Sequence, residues 1–147
     1  RLARLIRPAG CPSVKARRLR SLLQWLRAAG GFAALRRLPT ASLRCQLIAL
    51  HGIGPETADS ILLYALGRPG FVIDAYTRRI LSRHRLINGD EPYDELKALL
   101  EQNLPRSARL HNEYHALLVR LAKTHCRTAP SCAACPLGSR STPTPAD

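Results

Sequence analysis

The chain has 147 residues, 46% of them hydrophobic, which is enough for one sizeable core and too few for two large independent domains. Lys and Arg number 23 against 10 Asp and Glu, and the resulting +13 is spread along the chain, a field that attracts a polyanion such as nucleic acid. No apolar run approaches the roughly 20 residues that a helical membrane span needs, and no signal-peptide pattern opens the chain; the expectation is an intracellular protein of the cytoplasm or nucleoid, with no membrane partner.

The first residues read as the interior of something longer and no methionine occurs, so the chain is expected to be a fragment or the product of a displaced start. From Pro12 to Ala29, Leu19, Leu22, Leu23 and Leu26 recur with helical period, and Gly30-Gly31 ends that helix. Lys15, Arg17, Arg18 and Arg20 fill its other surface, as a solvated face or as phosphate contacts. Leu35 to Pro39 is a connector, and Thr40 or Ser42 can cap the next helix.

That helix runs into Leu50-His51-Gly52-Ile53-Gly54-Pro55-Glu56-Thr57-Ala58. Two glycines around one apolar residue permit a tight turn, because glycine reaches positive φ at little cost, and Pro55 suits the first position of a helix. Ala58, Ile61, Leu62 and Ala65 then predict one buried face. The pattern over 42–66 is helix, hairpin, helix. Its uncovered amides at the positive mouth of the second helix suit a phosphate; a hairpin that merely packs is the alternative.

Gly67-Arg68-Pro69-Gly70 breaks the second helix, and Phe71-Val72-Ile73 is too short to assign by periodicity. Asp74 stands where an N-cap belongs, before a helix from Ala75 to Arg83. Asn88 to Pro92 is a turn, Tyr93 to Asn103 an amphipathic helix, and Ser107 to His125 a core helix with Tyr114, Leu117, Leu118 and Leu121 inward. His111, Tyr114 and His115 read as packing or surface residues and are not assigned to catalysis. Cys126, Cys132 and Cys135 form C-x5-C-x2-C before Pro136, and in an intracellular chain such cysteines are metal ligands or free thiols sooner than disulfides. The segment from Gly138 to Asp147 is rich in Ser, Thr and Pro and is predicted to be disordered. With no repeat and no strand-like alternation, the predicted class is all-α.

From about Ile6 to Cys135 the chain resembles the endonuclease III branch of the helix-hairpin-helix DNA glycosylase superfamily. The resemblance rests on Ser13-Val14-Lys15-Ala16 opening a helix, Leu50 to Gly54 with Thr57-Ala58, the Gly/Pro break before Val72-Ile73-Asp74, and the cysteine cluster. It implies an incomplete, N-terminally truncated two-lobed helical bundle: one lobe over 1–105, the last helix and cysteine loop of the other over 106–137, and a tail over 138–147. It also implies a monomer that acts in base excision repair on duplex DNA with a damaged or mismatched base. Asp74 would be the catalytic carboxylate, with Lys15, His51, Gly52, Ile53, Gly54 and Thr57 at the DNA backbone.

The chemistry is consistent with that assignment. Breaking an N-glycosidic bond develops positive charge on the sugar, which an ionised carboxylate stabilises, and a helix N-terminus favours the ionised form. A base inside a duplex must first be extruded. In relatives that also cut the strand, a lysine forms a Schiff base with the sugar; the matching residue here is Glu56, which cannot form an imine. A monofunctional glycosylase is therefore implied, with a bifunctional glycosylase/AP lyase and a non-catalytic DNA-binding remnant as alternatives. The resemblance further implies a [4Fe–4S] cluster, which ordinarily takes four thiolates; the fourth is expected near Ser141, and no cysteine follows Cys135. A cluster with another ligand, a zinc site and a metal-free loop all stay open.

Overall fold

Helical periodicity governs the chain throughout the computed structural model, which describes residues 1–138 and contains no strand among them. The segment predicted to be disordered lies, apart from Gly138, outside the described residues. In order come α1 (Leu2–Leu5), a 3₁₀ turn (Arg7–Ala9), α2 (Pro12–Ala28), α3 (Gly31–Leu35), α4 (Thr40–Ile48), α5 (Pro55–Ser60) running into a π turn (Ile61–Ala65), α6 (Ala75–Arg83), α7 (Tyr93–Asn103) and α8 (Ala108–Thr124). Among the described residues no helix is long and apolar enough to cross a membrane. The chain divides into two units, Arg1–Leu62 and Leu63–Asp147.

In the first unit, Leu35, Leu43, Leu47, Ile53 and Ala58 are buried. The leucine stripe of α2 is less covered than its period predicts: Leu22 and Leu26 are half-buried, while Leu19 and Leu23 are exposed. Its neighbours in this unit, α1, the 3₁₀ turn and α3, have five residues at most and cannot cover a 17-residue helix. Neither Thr40 nor Ser42 caps α4. Pro39 is the N-cap, entering from an extended ψ of 143°, so Thr40 is already helical, and the Ser42 hydroxyl accepts from Gln46 instead.

In the second unit, Phe71, Ile73, Ile80, Leu96, Leu118, Leu121, Ala122 and Cys126 form one core. α6 and α7 have the predicted bounds. Of the predicted inward face of α8, Leu118 and Leu121 are buried, whereas Leu117 is 58% exposed and Tyr114 only half-buried; the buried face is turned toward His111, His115 and Ala122. A helix face is chosen by what it packs against, and Phe71 supplies a ring against His111, Tyr114 and His115.

Phe71, Val72 and Ile73 are buried coil. Buried main chain without a ladder needs other partners, and α7 provides them. The Phe71 N–H donates to Glu101 Oε1 at 2.7 Å, Lys97 Nζ donates to the Phe71 carbonyl at 3.2 Å, and the Ile73 N–H reaches the Tyr93 hydroxyl at 3.4 Å. Gly70 leaves room for this clamp, since a Cβ there would lie 3.0 Å from Lys97 Nζ.

Candidate functional site

The hairpin belongs to the first unit. The Ile53 N–H donates to the Leu50 carbonyl at 3.0 Å, closing a tight turn, and the Ala58 N–H donates to the Gly54 carbonyl at 2.9 Å as the first bond of α5. Only one of the two glycines uses the left-handed region: Gly52 has φ +81°, whereas Gly54 is extended at φ −90° and serves as the N-cap. Among the described residues the amides of Gly52 and Gly54 have no acceptor. A Cβ on Gly54 would meet nothing within 4 Å, so this glycine keeps the main chain open to a close approach. A Cβ on Gly52 would fall onto the side chain of Arg18, which therefore lies over the hairpin.

Arg44 of α4 and Asp59 of α5 brace the two helices of the motif through a bidentate pair, Nε to Oδ1 at 3.0 Å and Nη2 to Oδ2 at 3.1 Å. His51, Thr57 and Glu56 are exposed, and Ile53 is buried, so that Ile53 offers a ligand its main chain alone. Lys15 is exposed with its ammonium bonded to the Ala9 carbonyl.

The π turn interrupts the second motif helix. Leu62 and Leu63 are buried, while Ile61 is half-buried and Ala65 exposed, so the predicted Ala58/Ile61/Leu62/Ala65 face holds only at Ala58 and Leu62. A π turn adds a residue to the turn and breaks the 3.6 period.

Asp74 belongs to the second unit and caps α6 as predicted, its Oδ1 accepting from the Thr77 N–H at 2.7 Å. Its Oδ2 faces His115 Nε2 at 3.4 Å. On the other side of that ring, Nδ1 is hydrogen-bonded to the Tyr64 hydroxyl. Burial disfavours the Asp74 charge, but the facing His115 ring and the hydrogen bond from the Thr77 N–H outweigh it and hold the carboxyl below the usual aspartate range. Tyr64 is pushed above the usual phenol value, by burial first and by the Asp74 charge second.

Sequence reasoning missed Arg18 as a neighbour of the hairpin, and His115 and Tyr64 as neighbours of Asp74. His115 carried a signal, since it shares the i, i+3, i+7 spacing with Leu118 and Ala122. Tyr64 carried none, because the register of a π turn is not visible in an α-helical pattern.

Cys126 is buried at the end of α8, and Cys132 and Cys135 are half-buried. Arginines of α6 hold this loop: Arg79 Nε donates to the Cys126 carbonyl at 2.8 Å, Arg83 Nη2 to the Thr128 carbonyl at 2.9 Å, and Arg83 Nη1 to Cys126 Sγ at 3.4 Å. Among the described residues no three His, Cys, Asp or Glu side chains are grouped to hold a metal. Three thiols do not complete a four-thiolate cluster, and Ser141 stands where the fourth is expected.

A helical chain that turns on a glycine hairpin with open amides is of the helix-hairpin-helix class. The family profile described as "HhH-GPD superfamily base excision DNA repair protein" matches residues 1–106, and the chain belongs to that superfamily. It is 44% identical over 140 residues to the "Putative DNA repair glycosylase" of Methanocaldococcus jannaschii, covering 93% of this chain and 64% of that protein. It is 28% identical over 130 residues to Endonuclease III of Sulfolobus acidocaldarius, covering 88% of this chain and 56% of that one. A solved non-covalent endonuclease III–DNA complex superimposes with a TM-score of 0.76 at 25% identity, over 96% of this chain and 63% of the other. The chain thus spans less than two thirds of the length of each of these relatives.

Proposed function

We propose that this protein is a DNA glycosylase of base excision repair that hydrolyses the N-glycosidic bond of a damaged or mismatched base flipped from duplex DNA. The observation that carries the proposal is Asp74, a carboxylate held ionised at a helix N-terminus by Thr77 and His115 in a chain of the HhH-GPD superfamily. As the bond to the base breaks, positive charge grows on the sugar, and the Asp74 oxygens stabilise it and orient the attacking water. The Gly52 and Gly54 amides, with the Arg18 guanidinium, grip backbone phosphates. The neighbouring endonuclease III structure holds DNA, which supports a duplex partner.

Glu56, exposed in the first turn of α5, favours the monofunctional reading. A carboxylate cannot become the imine through which a lyase cuts the strand.

The test is a panel of duplex oligonucleotides carrying uracil, thymine or thymine glycol opposite guanine or adenine, each incubated and then split into alkali-treated and untreated halves. The wild type is expected to give alkali-dependent breaks in at least one duplex. Asp74→Asn should slow base release by about 10²–10³-fold while binding the same duplex within about threefold. Strand cutting without alkali, with a borohydride-trapped adduct, would overturn the monofunctional part. If the wild type releases no base from any duplex of the panel, the glycosylase assignment itself falls.

A further inference from the structure

Asp74, His115 and Tyr64 form a chain of three polar side chains from three elements: the start of α6, the middle of α8 and the π turn. We propose that His115, braced by Tyr64, is the positioning residue that orients the second oxygen of Asp74 for base release. This inference rests on the glycosylase reading of Asp74 given above.

The proposed role has the Tyr64 hydroxyl donating to His115 Nδ1, the tautomer that leaves the ring's N–H on the side of Asp74. That N–H stands on Nε2, which is buried and faces Asp74 Oδ2 at 3.4 Å. Among the described residues this nitrogen meets no other acceptor. A contact of that length before substrate binds is of the kind that shortens when charge develops opposite it.

With Oδ1 held by the Thr77 amide, a donor on Oδ2 fixes the plane of the carboxylate. Without it, a half-buried carboxyl turns about its last torsion and protonates more readily. Among the described residues, the titratable groups that meet the His115 ring are Asp74 at the N-cap of α6 and Tyr64 from the π turn. Phe71 meets it edge-on at 6.4 Å and also carries the rings of His111 and Tyr114 from α8. The π turn that presents Tyr64 is thereby given a use, in keeping with the frequency of such turns at functional sites.

The test is single-turnover base release by the full chain between about pH 5 and 9, on the duplex the wild type processes, with affinity read by fluorescence anisotropy. His115→Ala is expected to slow release by about 10–10²-fold with the dissociation constant little changed, and to move the acid limb of the rate profile to higher pH. Tyr64→Phe should lose less, about 3–10-fold, and should add nothing in the double variant. His115→Gln, which keeps an N–H toward Asp74, should restore the acid limb in part.

Wild-type rates and an unmoved acid limb in both single variants would overturn the proposal, as would a slow His115→Ala whose acid limb has not moved. If His115→Ala does not fold, Tyr64→Phe decides, because it removes one hydroxyl from a ring that is 47% exposed. If the wild type releases no base, the glycosylase reading has failed and the positioning role is read separately. A carboxyl ¹³C titration of Asp74 should then give a higher pKa in His115→Gln and Tyr64→Phe than in the wild type, and identical titrations would refute it.

Discussion

At Asp74 one oxygen closes the first turn of α6 and the other faces a histidine, so the helix cap and the proposed chemistry draw on the same charge. Burial by itself would raise this carboxyl, and the facing His115 ring with the hydrogen bond from Thr77 reverses the sign. A folded pKa below the unfolded one contributes stability that is complete above the ordinary aspartate range and is lost as pH falls through the depressed value. Asparagine also caps helices well. The melting temperatures of wild type and Asp74→Asn are therefore expected to differ by a constant amount above about pH 5 and to converge in stronger acid. A difference that stays constant down to about pH 2 would remove the ionised cap from the account. Asp74 was legible in the sequence because capping is local: an apolar run, an aspartate, then a helical period. For His115 the helical spacing showed a buried face but not the pairing with Asp74 and Tyr64, because those partners are distant in sequence and meet it only once Phe71 has chosen the face of α8.

Among the elements, the ends of α6 and α7 and the proline start of α5 follow from residues within one turn, and the sequence located them. What it mislaid was rotation: the inward face of α8 and the face after the hairpin depend on neighbours and on a π turn that no period announces. The hairpin helices are braced by Arg44 and Asp59, whose carboxylate is 3% exposed. Removing the guanidinium leaves a buried charge without its bidentate partner. Arg44→Met should cost about 3 kcal/mol, the lower end of the range for such pairs because the arginine is partly solvated. The double variant Arg44→Met with Asp59→Leu should recover much of that loss. Denaturant unfolding checks both, and a loss below about 1 kcal/mol in the single variant would show that solvent screens the pair.

For the molecule as a whole, a net +13 makes association with a polyanion depend on displaced counterions. Two phosphate contacts already imply about a tenfold loss of duplex affinity between about 50 and 200 mM salt, and more contacts a steeper one. Arg18→Ala should reduce the slope of log affinity against log salt by about one. Affinity indifferent to salt would take duplex DNA out of the proposal. A different property of the second unit follows from the coil before Asp74, which borrows its hydrogen-bond partners from α7 through Lys97, Glu101 and Tyr93. Such a segment has no opening of its own. When α7 lets go, the Phe71 amide and carbonyl lose their partners in the same event, so the local unfolding free energy around Asp74 is that of a whole helix and not of a loop.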